Sequence, residues 1–341
     1  MSVNFSTNVI STKIRALYGK RLKEDDYNQL INKYSLSEIV EYLKNETYYH
    51  STLEAVNQNT VHKGQVELLL KVAAFEKHAR FLNYDISSQT EIFKYVILKN
   101  EMEEILTAIR LFNSGSMNKY VIRLPLFLTD YLSMNLKDFI NVKSFDDLLK
   151  VVKGTIYYEL MLKFKPNKID GKLDVVRCEI EIRKAFFLKI FKMLDKDHDP
   201  KAIFLIDIET TNIVNIYRLK KFFNKDAKYI KSCLLPFYYY LKESVIDKMV
   251  EAENIDDFIK MVNQTKYGKY LNLFEHENIE KTIKKFICKK MKKSIRFVDH
   301  PSNIMMCYIY LMDVELENLI TIIESISYKV SPEQIKQSII I

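Results

Sequence analysis

Ser144-Phe145-Asp146-Asp147-Leu148-Leu149, leading on to Val152, Thr155 and Tyr157, is a complete helix start. The serine hydroxyl can cap an orphan amide, and an acid three positions on sits against the positive helix end. Phe145, Leu148, Leu149 and Val152 then fall on one helical face. The same arrangement stands earlier as Ser35-Leu36-Ser37-Glu38-Ile39-Val40, leading to Leu43 and Thr47-Tyr48. It stands later as Asn254-Ile255-Asp256-Asp257-Phe258-Ile259, leading to Val262, Thr265 and Tyr267. One copy is only a well-formed helix start. Three copies at intervals of about 110 residues are one unit used three times, and such repeats decide architecture before local motifs do.

A second element keeps the same register. Glu209, Asn212 and Arg218 recur as Glu315, Asn318 and Glu324 and, in the first third, as Glu101, Glu104 and Arg110. Longer helical stretches are expected between the two elements, over Val66 to Phe81, Val175 to Met193 and Ile279 to Phe297. Leu22, Tyr27, Leu30, Ile31 and Tyr34 mark a helix before the first cap. Ser331-Pro332-Glu333-Gln334 opens a short last one, with proline in its first turn. Breaks fall at Asn113-Ser114-Gly115-Ser116 and Asn224-Lys225-Asp226, with a loop from Lys165-Pro166-Asn167 to Gly171. The expected organisation is therefore three helical repeat domains, 1–117, 118–224 and 225–341.

Composition agrees with an all-α chain. Its 341 residues are 48% hydrophobic and 28% charged, enough for substantial cores under a charged surface. Six glycines and six prolines are too few for a glycine-rich nucleotide fold or a β-sandwich. With 22 Tyr, 20 Phe and no Trp, phenyl rings must do much of the packing. The start of the chain lacks the apolar run of a signal peptide. Ser302 to Met312 is far short of the roughly 20 apolar residues of a span. Four scattered cysteines read as buried thiols.

The chemistry of a catalyst is not visible. Gly19-Lys20 and Gly268-Lys269 lack the first glycine of a phosphate loop, having Ile14 and Asn263 in its place. No Cys-x-x-Cys and no pair of histidines at ligand spacing argues for zinc. Asp195 to Asp199 is acid-rich but lacks the glycine and closing Glu of a calcium loop. No catalytic residue, metal or cofactor is expected. The formal charge is +8. Its densest stretch runs from Lys281 to Arg296, a basic face on an amphipathic helix. That face either meets phosphate, lipid headgroups or an acidic protein, or is simply solvated. Glu101, Arg110, Glu209, Asn212, Arg218, Glu315 and Asn318 are the candidate structural or interface residues. They either lock the units together across neighbouring helices or line a cavity or partner surface.

Arg15-Ala16-Leu17-Tyr18-Gly19-Lys20-Arg21-Leu22, followed by the Ser35 stretch, resembles the opening of the C-subunit family of vacuolar/archaeal-type (V/A-type) ATPases, whose eukaryotic relatives are called d. Glu315-Leu316-Glu317-Asn318-Leu319-Ile320 and Ser331-Pro332-Glu333-Gln334-Ile335 resemble its closing pattern, so the likeness spans the chain. Where Arg110 and Arg218 stand, the third unit departs with Glu324. The resemblance implies an all-α funnel of three similar domains in a pseudo-threefold arrangement. It implies a non-catalytic socket between the central-stalk subunits D and F and the membrane rotor ring of c/K subunits. Such a component is peripheral, on the cytoplasmic side of the membrane, touches its surface at most and binds no nucleic acid. The alternative is a basic all-helical scaffold or adaptor for nucleic acid or an acidic membrane surface.

Overall fold

A computed structural model describes residues 2–57, 60, 62–80, 87–120, 125–165, 173–193, 200–268, 279–297 and 301–340. No strand occurs among them, and the fold is all-α. The expected loop after Lys165 and the acid-rich stretch 195–199 lie outside the described residues. The chain divides into two compact units, Met1–Phe93 with Lys281–Ile341, and Lys94–Glu280.

The three caps form as the sequence predicts. Ser35 Oγ accepts from the Glu38 amide (3.3 Å), Ser144 Oγ from Asp147 (3.2 Å) and Asn254 Oδ1 from Asp257 (2.9 Å). They open the helices Leu36–Glu46, Phe145–Val151 and Ile255–Asn263. Each then buries the apolar face its spacing defines: Ile39, Val40 and Leu43; Leu148, Leu149 and Val152; Phe258, Ile259 and Val262. Helices Val175–Met193 and Ile279–Phe297 match their expected bounds, and Lys63–Arg80 nearly does.

In the unit that joins both chain ends, Pro301–Ser327 is the central helix. Ser2–Gly19, Leu36–Glu46, Lys63–Arg80 and Pro332–Ser338 pack around it. Leu30, Ile39, Leu43, Leu53, Val66, Leu319, Ile322 and Ile335 form one buried cluster that unites the two ends of the sequence. The other unit adds an aromatic cluster to a largely aliphatic core. Phe191 meets Phe237 edge-on at 5.2 Å, and Phe187, Phe204 and Tyr95 continue the cluster.

The long helices Ser87–Asn113, Pro200–Lys221 and Pro301–Ser327 carry the second repeated element. Each is followed by one left-handed residue: Gly115 (φ 66°), Asn224 (φ 45°) and Lys329 (φ 56°). At Gly115 the Ser116 amide bonds Leu111 O (2.8 Å) and the Gly115 amide bonds Phe112 O (3.0 Å), a Schellman turn that satisfies orphan carbonyls. Val330 to Ser325 O and Lys329 to Ile326 O, both 3.0 Å, repeat it. The third repeat thus keeps the turn without the glycine, holding a lysine where a Cβ is unfavourable.

Candidate functional site

The end of each capped helix turns by the same local device. Thr47 Oγ1 donates to Leu43 O (2.6 Å) and accepts the Tyr49 amide (3.2 Å). Thr155 does the same with Val152 and Tyr157, and Thr265 with Val262 and Tyr267. The repeated signal is therefore Thr-x-Tyr. This corrects the register of the first copy: Tyr49, not Tyr48, is the counterpart of Tyr157 and Tyr267. All three counterparts are essentially fully buried.

Two of those tyrosines, Tyr49 and Tyr267, mark the docking points of long-helix acids. Glu209 is wholly buried and its carboxylate is saturated. Oε1 accepts the amides of Tyr239 (2.6 Å) and Leu241 (2.8 Å), and Oε2 accepts the Tyr240 amide (3.1 Å) and the Tyr267 hydroxyl (2.5 Å). One turn on, Asn212 grips the Leu235 residue from both sides, accepting its N–H at 3.0 Å and donating to its carbonyl at 2.8 Å. Glu315 and Asn318 repeat the node. Glu315 Oε2 accepts the Leu22 amide (3.0 Å) and Arg21 Nε (3.2 Å), and Oε1 accepts the hydroxyls of Tyr48 and Tyr49. Asn318 grips Ile340 likewise, at 2.8 and 2.7 Å. The first node is sparser. Among the described residues Glu101 accepts from Ser133 alone, through its amide (3.3 Å) and hydroxyl (2.9 Å), and Glu104 accepts the Tyr120 hydroxyl at 2.7 Å.

The order of these docks matters. Glu101 and Glu209 each fasten onto the capped segment that follows them in the chain. Glu315 fastens onto the first one, Arg21 to Tyr49. The last repeat thus returns to the start of the chain.

These acids are holders of backbone rather than reagents. Burial raises the Glu101 pKa, an effect that the Ser133 hydrogen bonds only offset. The tyrosines around the nodes are pushed well upward, Tyr267 by burial and then by its bond to Glu209, Tyr48 and Tyr49 by burial and then by the Glu315 charge. Each therefore stays a neutral donor. Burial also raises the Cys178 and Cys307 thiols to about 12 and Cys288 to about 11, so these free thiols are unreactive. No group of His, Cys, Asp and Glu that could hold a metal occurs among the described residues. No described helix is long and apolar enough to cross a membrane.

The basic positions of the second element lie apart from the nodes. Arg110 makes a bidentate pair with Glu179 (2.7 Å for each bond) at the surface, and Arg218 stands in the last turn of its helix. Glu324 reaches Lys63 at 3.4 Å, also at the surface. The acids and asparagines were legible from their spacing. The amides of Leu22, Ser133 and Tyr239–Leu241 were not, because any residue but proline supplies an N–H.

The family described as "ATP synthase (C/AC39) subunit" matches residues 10–338. The chain is 23% identical to the C subunit of the A-type ATP synthase of Desulfurococcus sp. (strain SY), over 96% of this chain and 88% of that one. It is 25% identical to the corresponding A-type ATP synthase component of Archaeoglobus fulgidus, over 97% and 95%. With that of Methanocaldococcus jannaschii the figures are 22%, 97% and 85%.

Proposed function

Because this chain belongs to the ATP synthase (C/AC39) subunit family, we propose that it is the non-catalytic socket of a V/A-type ATPase or ATP synthase. In this reading it joins the rotating central stalk to the membrane rotor ring and so links ATP turnover to proton or sodium transport. Its partners are the central-stalk subunits D and F on one side and the c/K ring on the other, at the cytoplasmic face of the membrane. Three similar domains, bounded near 117 and 224, surround a pseudo-threefold axis and form a funnel.

One observation supports this reading: the last repeat docks on the first through Glu315, as the others dock on their successors. A part that transmits torque must not open at a seam, and a last repeat tied to the first resists that. The saturated carboxylates supply stiffness, since each charged acceptor holds several backbone donors at once. The absence of a phosphate loop at either Gly-Lys pair is consistent with a part that turns without reacting. The test is reconstitution with purified stalk subunits D and F. A single 1:1:1 complex by native mass spectrometry supports the socket; no association at micromolar concentration contradicts it.

A further inference from the structure

The unit that joins the chain ends contains a cavity of about 630 Å³ whose lining charge the nodes do not explain. Arg21, Lys23, Lys285, Lys292, Arg296 and Lys336 converge on it against a single carboxylate, Glu24. Lys285, Cys288, Lys292 and Arg296 are spaced by three, four and four residues, so one stripe of the helix Ile279–Phe297 faces the cavity. The neighbouring flank of that helix is neutralised, Lys284 reaching Glu317 at 2.5 Å. The cavity stripe is not: Lys285, Lys292, Arg296 and Lys336 have no acidic partner among the described residues.

A second observation points inward. Tyr27 lines the same cavity, is only 4% exposed, and its hydroxyl closes no hydrogen bond of good geometry, although the Asn318 amide lies beside it. A buried donor left unmet is costly unless something completes it. Leu311, Val314, Ile339 and Ile340 form the apolar part of the wall.

We infer that this cavity is a binding site for a compact polyanion bearing two or more phosphate groups. Each phosphate monoester carries close to two negative charges near neutral pH. Four unpaired cations around one small volume match two such groups, and the volume falls in the range of small-ligand sites, about 300–1,000 Å³. The Tyr27 hydroxyl supplies a donor at the floor, where a phosphate oxygen would accept. The chemistry is that of a soluble polyphosphate or of a multiply phosphorylated lipid headgroup.

The experiment uses the full chain. Titration calorimetry with inorganic tripolyphosphate tests the soluble source. Co-sedimentation with phosphatidylcholine vesicles carrying phosphatidylinositol bisphosphate tests the headgroup, against phosphatidylserine vesicles of matched surface charge. Either probe should saturate at one site per chain. Lys285→Glu with Lys292→Glu should weaken it about tenfold or more, the scale of lost charge-assisted bonds. Lys289→Glu with Lys293→Glu, the same charge change on lysines away from the cavity, should leave affinity within about twofold, because solvated charges are screened. Tyr27→Phe, which keeps the ring, should weaken binding severalfold. Tripolyphosphate binding alone assigns a soluble ligand and bisphosphate-vesicle binding alone a headgroup; both support the site. Binding to neither, equal losses from the two lysine pairs, or equal binding to matched phosphatidylserine vesicles overturns it.

Discussion

Glu209→Gln replaces one carboxylate oxygen by an amino group, and its cost can be worked out from the node. Four donors converge on Glu209: three backbone amides, from Tyr239, Tyr240 and Leu241, and the Tyr267 hydroxyl. A glutamine offers one accepting oxygen. With that oxygen toward Tyr239 and Leu241, its amino group faces the Tyr240 amide, donor against donor, while the Tyr267 hydroxyl can turn to accept. The best outcome therefore leaves one buried amide unsatisfied, at about 1–3 kcal/mol, and removes the charge assistance from the rest. A loss of about 3–5 kcal/mol follows, comparable to breaking a buried ion pair. Arg110→Ala removes a pair whose arginine side chain is 49% exposed, and such surface pairs contribute about 0.2–1 kcal/mol. Urea unfolding of both variants gives the comparison, and hydrogen exchange at Tyr239, Tyr240 and Leu241 locates it. Those three amides should lose protection in Glu209→Gln and keep it in Arg110→Ala. Equal stabilities, with the amides equally protected, would refute the view that the buried acid and not the arginine holds this wall.

The sparser node should answer in the opposite way. Burial raises the Glu101 pKa above its ordinary 4.5, so the folded state binds that proton more tightly. Its contribution to stability is full below about 4.5 and declines as pH rises through the folded value. Glu101→Gln should flatten that decline and be no less stable than the parent at pH 7, measured by urea unfolding from pH 4 to 8. Lys329→Gly should stabilise by about 0.5–1 kcal/mol in the same assay, since the left-handed lysine gives up strain that exceeds glycine's entropy loss. Gly154→Ala places a Cβ 2.8 Å from the Ser133 carbonyl oxygen, and should destabilise by about 1–3 kcal/mol while loosening the Ser133 amide that Glu101 accepts.

What could be read in advance was what repeats. Caps and stripes recur three times and the Glu/Asn pair twice, with Glu104 in the asparagine position of the first copy, and each uses a side chain that only a few residue types can supply. The helix Ser2–Gly19 was missed because Ser2, Ser6, Thr7, Ser11 and Thr12 are poor or middling helix formers. Packing on Pro301–Ser327 holds it, and sequence periodicity does not report that contact. In the second repeat the counterpart of Glu24–Ile31 and Glu243–Glu251 is a 3₁₀ stretch, Leu136–Asn141. Glu243–Glu251 was missed although Ile246, Met249 and Val250 trace a stripe, because it is only about two turns long. The docking of Glu315 on the first capped segment was also hidden, since Glu315 and Leu22 are 293 positions apart. The basic stripe of Ile279–Phe297 was legible, but the cavity it faces depends on Tyr27 and Ile340 arriving from both ends of the chain.

The ratio of ions moved to ATP hydrolysed, in vesicles holding the rotary complex with and without this chain, tests the socket most directly. The account predicts that complexes lacking the chain hydrolyse ATP with little transport, and that adding it back at one copy per complex restores the coupled ratio. Full ion transport per ATP in its absence would contradict the account.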